Sequence, residues 1–314
     1  MALKHVIRTG MRNDSRKAQS AMEYLTTYGW AIIVIVVVLA VMYSLGLFSF
    51  STYAARATPG SCQVVRPEGA GTVDFISITG TCNNAEPEYV AVFNGSTTYN
   101  PVPGFSSSTY ITANTAMSGS NYPFTITMWV KTPSLIPGAS WTEPVFGFNS
   151  YQAFGLLASG GGLVLHRCSS ADTSTTLPGV TEYNVWHFIA VSFNPANDNY
   201  LWQIDNNEGN VTNTNSWSTN NNVVIGAQYM DCDGNPFVGY ISNVQLYNSS
   251  LSSSQLQALY YEGIGGKPIN LVNLTAWWPL NGNAHDYSGN ADNGTAVGVT
   301  YTSAWSKGYT KPTP

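Results

Sequence analysis

The chain has 314 residues, of which 44% are hydrophobic and only 9% are charged, with a formal net charge of −5. Charge this sparse lies far below the ~25% usual in soluble domains and is unlike an ordinary cytosolic enzyme. Aromatic residues at 13% argue against disorder. The acidic balance excludes a broad basic surface for nucleic acid. What remains is a β-rich surface or secreted protein with one apolar segment.

The charge is unevenly spread. Lys4, Arg8, Arg12, Arg16 and Lys17 stand in the first 18 residues beside one acid, Asp14. A basic head before an acidic body reads as a cytoplasmic flank under the positive-inside rule. No charge then occurs between Glu23 and Arg56, and Gly29 to Phe50 is an uncharged run of 22 residues. A helix of that length, rising ~1.5 Å per residue, spans a ~30 Å bilayer core. The β-branched stretch Ile32–Val38 suits a strand by propensity, but an open strand in lipid leaves its backbone unsatisfied. An ordinary secretory signal has a shorter apolar core and a small-residue cleavage site; Ser44-Leu45-Gly46 is a poor one. Glu23 at the edge of such a helix is costly unless an amine neutralises it.

Arg16-Lys17-Ala18-Gln19-Ser20-Ala21-Met22-Glu23-Tyr24-Leu25 resembles the class III signal peptide of archaeal type IV pilin-like proteins. The resemblance implies cleavage by a membrane prepilin peptidase between Ala18 and Gln19. Residues 1–18 would be the signal peptide and 19–58 a transmembrane or filament-core helix. Gln19 would become the mature N-terminus. Glu23, then the fifth residue, would pair with the N-terminal amine of a neighbouring subunit, the two charges neutralising each other as the helix leaves lipid. The implied partners are further copies of this chain or other pilins in a homo- or hetero-oligomeric filament. The chain is large for such a protein, which points to a minor or specialised subunit. A signal anchor with a coincidental Glu23 is the plainer alternative. In Ser51–Gly60 the helix is expected to run to about Ala57 and stop at Pro59-Gly60.

From residue 59 to 314 short β-rich runs alternate with Gly, Asn, Ser and Pro clusters. Strands are expected at Thr72–Thr79, Tyr89–Phe93, Thr125–Lys131, Pro144–Asn149, Ala153–Ala158, Leu163–Arg167, Trp186–Phe193, Tyr200–Asp205, Asn222–Gly226, Gly239–Tyr247 and Leu274–Leu280. This pattern predicts an all-β sandwich or barrel. One helix is expected over Ser252–Tyr261, entered by Ser after Leu251 and ended at Gly263. No long alternation of strands with helices occurs, so a parallel α/β sheet is not expected.

Phe124-Thr125-Ile126-Thr127-Met128-Trp129-Val130-Lys131 and Trp186-His187-Phe188-Ile189-Ala190-Val191-Ser192-Phe193 resemble paired strands of the concanavalin A-like, laminin-G-like family. Tyr200–Asp205 supplies the following hairpin, and Gly239–Tyr247 the last strand before the helix. The resemblance covers roughly residues 90–262 and implies a jelly-roll sandwich. A segment that often opens such domains, Trp278-Pro279-Leu280-Asn281-Gly282-Asn283-Ala284-His285-Asp286-Tyr287-Ser288-Gly289-Asn290, here comes last. Either the domain is circularly permuted or a partial second copy begins at Leu274. Permutation is preferred, because the tail after Asn290 is too short for another sandwich.

Some glycoside hydrolases share this sandwich and need two carboxylates ~5–5.5 Å apart for retention. The nearest candidate is Asp205 with Glu208. In a strand, positions 203, 205 and 207 share a face and Glu208 points away. Asn206-Asn207-Glu208-Gly209 reads as a turn. No G-x-S-x-G, P-loop or H-E-x-x-H motif is present. The chain is therefore not expected to be an enzyme. Asp286, Ser288, Asn290 and Asp292 alternate as oxygen ligands suited to Ca²⁺, while a network of Asx turns is the bland alternative. Asp231-Cys232-Asp233-Gly234-Asn235 is a weaker calcium loop, because its twelfth position is Ser242. His187 lies in a core strand, and His166 beside Cys168 lacks the C-x₂-C partner of a zinc site.

The four cysteines, Cys62, Cys82, Cys168 and Cys232, fit disulfides outside the cytoplasm, with three connectivities open. Proximity favours Cys62–Cys82 and Cys168–Cys232. Five N-x-[ST] sequons lie in the expected outer part, at Asn94, Asn210, Asn248, Asn273 and Asn293. Exposed aromatics on an amide-rich sandwich suit sugars; Trp141, Trp217 and Tyr229 are the candidates, with core packing as the alternative for each. The expectation is a type IV pilin-like subunit of a membrane-borne extracellular filament, with a lectin-like head for adhesion or glycan binding. A membrane-anchored surface lectin that never polymerises is the alternative, and a glycosidase is the third.

Overall fold

The computed structural model describes residues 28–44, 55–83, 85–95, 109–117, 119–120, 122–133, 142–148, 152–157, 163–167, 173–177, 182–212, 218–219, 221–227 and 237–314. The chain divides into two units, Met1–Tyr53 and Ala54–Pro314.

In the first unit, residues 28–44 form an α-helix. Its side chains are apolar and exposed, with Ile33, Val36 and Val37 each more than half exposed. Ser44 turns its hydroxyl back to the Val41 carbonyl at 2.9 Å. No helix among the described residues is long and apolar enough to cross a membrane. Arg16, Lys17, Ala18, Gln19 and Glu23 lie outside the described residues.

The second unit is a β-sandwich. One sheet of eight strands runs in the order Asn207–Thr212, Asn199–Ile204, His187–Asn194, Phe124–Lys131, Val238–Tyr247, Val90–Asn94 and Thr300–Thr302, with Leu274–Trp278 also paired to Val238–Tyr247. The facing sheet of seven runs Thr173–Leu177, Leu163–Arg167, Gln152–Leu157, Thr142–Phe148, Asn222–Ile225, Tyr110–Asn114 and Thr295–Val297. Three two-stranded ribbons complete it: Arg56–Ala57 with Glu86–Pro87, Cys62–Val65 with Ser77–Gly80, and Gly119–Ser120 with Ser218–Thr219.

Alternation along Phe124–Lys131 shows why the larger sheet sits in the middle. Phe124, Ile126, Met128 and Val130 point into the core between the sheets, beside Phe146, Phe148, Val223 and Ile225. Trp129 points the other way, into a second core with Leu256, Leu259, Tyr260, Trp305 and Tyr309. The strand is buried along its whole length, as expected for a sheet covered on both faces. The cover includes the helix Ser253–Glu262, which buries Leu256, Leu259 and Tyr260. Ser252 caps it with Gln255 in a reciprocal capping box, and Gly263 ends it at φ 86°. Tyr260 stacks on Trp129 at 5.9 Å.

The last strand of the sandwich's centre changes partners midway. Val238 to Ile241 pair with Val90–Asn94, whereas Val244 to Tyr247 pair with Leu274–Trp278. The switch falls at Asn243, a left-handed residue with φ 52°, whose amide donates to the Pro279 carbonyl at 3.0 Å. Such a bulge bends a strand and re-aims its side chains.

The segment from Leu274 closes this sandwich and starts no second one. Thr295–Val297 pairs with Tyr110–Asn114 on one sheet, and Thr300–Thr302 with Val90–Asn94 on the other.

Several sequence expectations are corrected. Arg56–Ala57 is extended and does not continue a helix. It pairs in parallel with Glu86–Pro87, and Arg56 donates to the Pro87 carbonyl at 2.9 Å while its guanidinium lies over the Trp305 ring. Thr72 to Ile76 are loop, the strand there being only Ser77–Gly80. Asn207 to Gly209 are not a turn: Asn207–Thr212 is a strand, because left-handed Asp205 (φ 52°) closes the hairpin in two residues. Leu274–Trp278 ends before Pro279, which has no N–H to offer a ladder. Cys62 and Cys82 form a disulfide; Cys168 and Cys232 lie outside the described residues.

Candidate functional site

The outer face of the seven-stranded sheet carries an open groove of about 450 Å³. Period-two alternation builds it. Ile111, Ala113, Val223 and Ile225 turn into the core, so Tyr110, Thr112, Asn114, Asn222 and Val224 turn outward. The register aligns them: Asn222 faces Asn114, Val224 faces Thr112, and Thr295 faces Thr112 from the other side. Tyr110 and Val224 are buried and make an apolar floor. Asn114, Asn222, Asn293 and Thr295 are exposed on its rim. Among the described residues, none that lines it carries a charge. A floor of CH groups with an amide and hydroxyl rim suits a neutral, hydroxyl-bearing ligand.

The four proposed calcium ligands lie together, but as a hydrogen-bonded loop. The Asp286 carboxylate accepts from the Trp277 and Ser288 amides, each at 2.9 Å, on one oxygen. Its other oxygen accepts from the Ser288 hydroxyl at 2.7 Å and the Asp292 amide at 3.0 Å. Four donors therefore occupy the group a cation would need. Asn290 is likewise committed, donating to the Leu274 and Thr275 carbonyls and accepting from the Gly71 amide. The donor set fits Asx turns better than a calcium shell. Asp292 alone keeps its carboxyl free of hydrogen bonds among the described residues. Burial, with the Asp286 charge beside it, pushes its pKa up to about 7.

Arg66 ties this loop to its neighbours. Its guanidinium donates to Ser288 O at 3.0 Å, Leu271 O at 2.7 Å, Leu274 O at 3.3 Å and the Thr72 carbonyl. Burial lowers its pKa, offset by the Asp286 charge. A second groove of about 250 Å³ opens beside it, lined among others by Asn248, Val272, Asn290 and Asp292.

His187 and Asp205 meet at 2.6 Å between Nδ1 and Oδ2. The other Asp205 oxygen accepts from the Phe188 amide at 2.8 Å, and His187 Nε2 lies 3.0 Å from the Glu182 carbonyl. Asp205 therefore closes a turn and holds a histidine, a structural task. A further buried chain runs from Trp277 Nε1 to Asn243 Oδ1 at 2.8 Å, from Gln245 to the same oxygen at 3.1 Å, and from the Tyr247 hydroxyl to Gln245 at 2.6 Å.

Of the sequons, Asn94, Asn210, Asn248 and Asn293 are exposed and Asn273 is half-buried. Asn293 already holds the Asp286 amide at 2.9 Å and stands on the rim of the larger groove. Trp141, Trp217 and Tyr229 lie outside the described residues, as do Asp231 to Asn235. Sequence reasoning missed Arg66, Tyr110 and Asn114. The run Tyr110-Ile111-Thr112-Ala113-Asn114 does alternate polar with apolar positions, and that was the available signal.

Residues 105–257 match the family model of the concanavalin A-like lectin/glucanases superfamily. The match covers just under half of the chain. The groove's strands Tyr110–Asn114 and Asn222–Ile225 belong to it, while the strands that close both sheets lie beyond the match. A Bacteroides ovatus protein described as a candidate carbohydrate binding protein is similar over 74% of this chain and 64% of that one, at 13% identity and a TM-score of 0.49. The chain thus spans a little under two thirds of that protein. A heptameric SAP-like pentraxin from Limulus polyphemus is similar over 68% of this chain and 94% of that one, at 15% identity and a TM-score of 0.44. Domains LG4-5 of the mouse laminin alpha1 chain give 58% and 46% coverage, 16% identity and a TM-score of 0.37. No curated protein matches the chain.

Proposed function

We propose that this chain is a cell-surface glycan-binding protein whose concanavalin A-like head is borne on a type IV pilin-like helix. The observation that carries the binding half is the groove on the seven-stranded sheet, whose described lining is uncharged, with Tyr110 and Val224 as floor and amide and hydroxyl groups as rim. Sugars present apolar ring faces and hydroxyl edges, and the groove offers a partner for each. Binding without hydrolysis is supported by the engagement of the Asp205 carboxylate with His187 and the Phe188 amide.

The stalk half is supported by the apolar side chains exposed along 28–44 and by the Glu23 context in the sequence. A continuous apolar helix surface needs lipid or other helices around it. Cleavage before Gln19 and packing in a filament core on the outside of the cell meet that need.

Two measurements test the halves separately. Binding of the intact chain in detergent micelles to a glycan array should show saturable binding to neutral oligosaccharides, weakened by Asn222→Ala. Peptide mapping of sheared, pelleted filaments should find Gln19 as the first residue. An intact leader confined to membranes would leave an anchored surface lectin instead.

A further inference from the structure

The larger groove carries a modification motif on its own rim. Asn293-Gly294-Thr295 is an N-x-[ST] sequon, the acceptor pattern for an N-linked glycan. Asn293 and Thr295 both line the groove, and no other sequon asparagine is in its described lining. Thr295 stands opposite Thr112 in the ladder. Directly opposed residues share a face, so its side chain lies on the outward face with Thr112. Residues two apart in an extended chain also share a face, which puts Asn293 on that side too.

The Asn293 amide is held in place. Its Oδ1 accepts from the Asp286 N–H at 2.9 Å, and Nδ2, the atom through which a glycan is linked, has no hydrogen bond among the described residues. The side chain is exposed. Asn273 is the contrast, half-buried and with its Nδ2 directed to Asn270 Oδ1 at 3.4 Å. A sugar linked at Asn293 therefore starts at the edge of the Tyr110 and Val224 floor. The space there is about 450 Å³, within the ~300–1,000 Å³ of small-molecule sites.

We infer that Asn293 is N-glycosylated and that the first sugars of this glycan lie in the sheet-face groove and close it to free glycans. The closure rests on the glycan-binding function proposed above and regulates that same groove. In the modification, a bond forms between Nδ2 and the anomeric carbon of a lipid-phosphate-linked oligosaccharide. The bond from that carbon to the phosphate oxygen breaks, the lipid phosphate leaves with the electron pair, and Nδ2 loses one proton. A tethered ligand competes at an effective concentration on the order of 1 mM, so a groove that binds free sugar at about 0.1 mM is closed about tenfold.

Glycopeptide mapping of the full chain, isolated in detergent from its own cells, should find a glycan on Asn293. Thr295→Val removes the sequon, keeps a β-branched residue on the edge strand and leaves the Asn293 bond to Asp286 untouched. It also deletes a rim hydroxyl, so a gain in binding reads on the glycan alone. On an array of neutral oligosaccharides built from glucose, galactose and N-acetylglucosamine, this variant should bind about tenfold more tightly than the parent. Adding Asn222→Ala should abolish the gain, and Thr295→Ser, which keeps the sequon, should bind as the parent does. An unmodified Asn293, or Thr295→Val binding within about twofold of a parent that Asn222→Ala weakens, would overturn the closure and leave the groove standing. A gain that survives Asn222→Ala would put the glycan's effect outside the groove and overturn the closure as well. No binding by either the parent or Thr295→Val would overturn the groove as a glycan site, and the closure with it.

Discussion

His187 stands between two acceptors: Asp205 Oδ2 lies 2.6 Å from Nδ1, and the Glu182 carbonyl lies 3.0 Å from Nε2. Both ring nitrogens are satisfied only when both carry protons. Burial lowers the imidazole pKa, but Asp205 and Glu182 raise it more, and the net direction is upward.

The pH dependence follows from that direction. A histidine whose pKa is raised in the folded state adds stability in full below its unfolded value of ~6.5. The contribution is lost as pH rises through the folded value. Thermal melting followed from pH 5.5 upward should show a fall that is absent in His187→Gln. An unchanged slope in that variant would remove His187 as its source.

Asp292 predicts a fall in an earlier window. Its carboxyl holds its proton to about pH 7 in the folded state, against 3.8 for an ordinary aspartate. Between those values the unfolded chain has lost a proton that the folded chain keeps, so stability declines as pH rises. Asp292→Asn should flatten the slope from pH 4 to 7 and melt higher than the parent at pH 8.

Arg66→Met should be among the most damaging single changes in the head. It removes the donor shared by four carbonyls from three separate segments. Buried groups left unsatisfied cost ~1–3 kcal/mol each. Chemical denaturation should show a loss of at least ~3 kcal/mol, with increased proteolysis around Thr72.

Ser252→Ala should be milder. The capping box at the start of Ser253–Glu262 binds two orphan helix amides, and loss of such a cap costs ~1 kcal/mol. The change should lower the melting temperature by a few degrees and leave glycan binding intact.

Much of the head was legible because its strands are regular. Leu163–Arg167 lies where the apolar run places it, and Ser252 and Gly263 bound the short helix as the capping rules require. Errors gather where a side chain overrides local pattern. Thr72 to Ile76 look like a strand, but Arg66 pulls the Thr72 carbonyl into a loop and leaves Phe75 left-handed. Asn207 to Gly209 have turn composition, yet Asp205 completes the turn first. The larger groove was invisible because its walls come from residues near 110, 222 and 295, and only the register brings them together. The calcium pattern was legible as oxygen spacing, but its donors are internal, and spacing alone does not say who occupies a carboxylate.

One edge strand of each sheet comes from a single short stretch, Thr295–Val297 and Thr300–Thr302, laid against partners near residues 110 and 90. Contacts so distant in sequence form late, because loop closure must precede them. As the chain emerges, Val90–Asn94 and Tyr110–Asn114 must wait with one edge bare until Thr302 has been made. Under the cell-surface location proposed above, that delay would be an advantage, since it would keep the head threadable until translocation is nearly done.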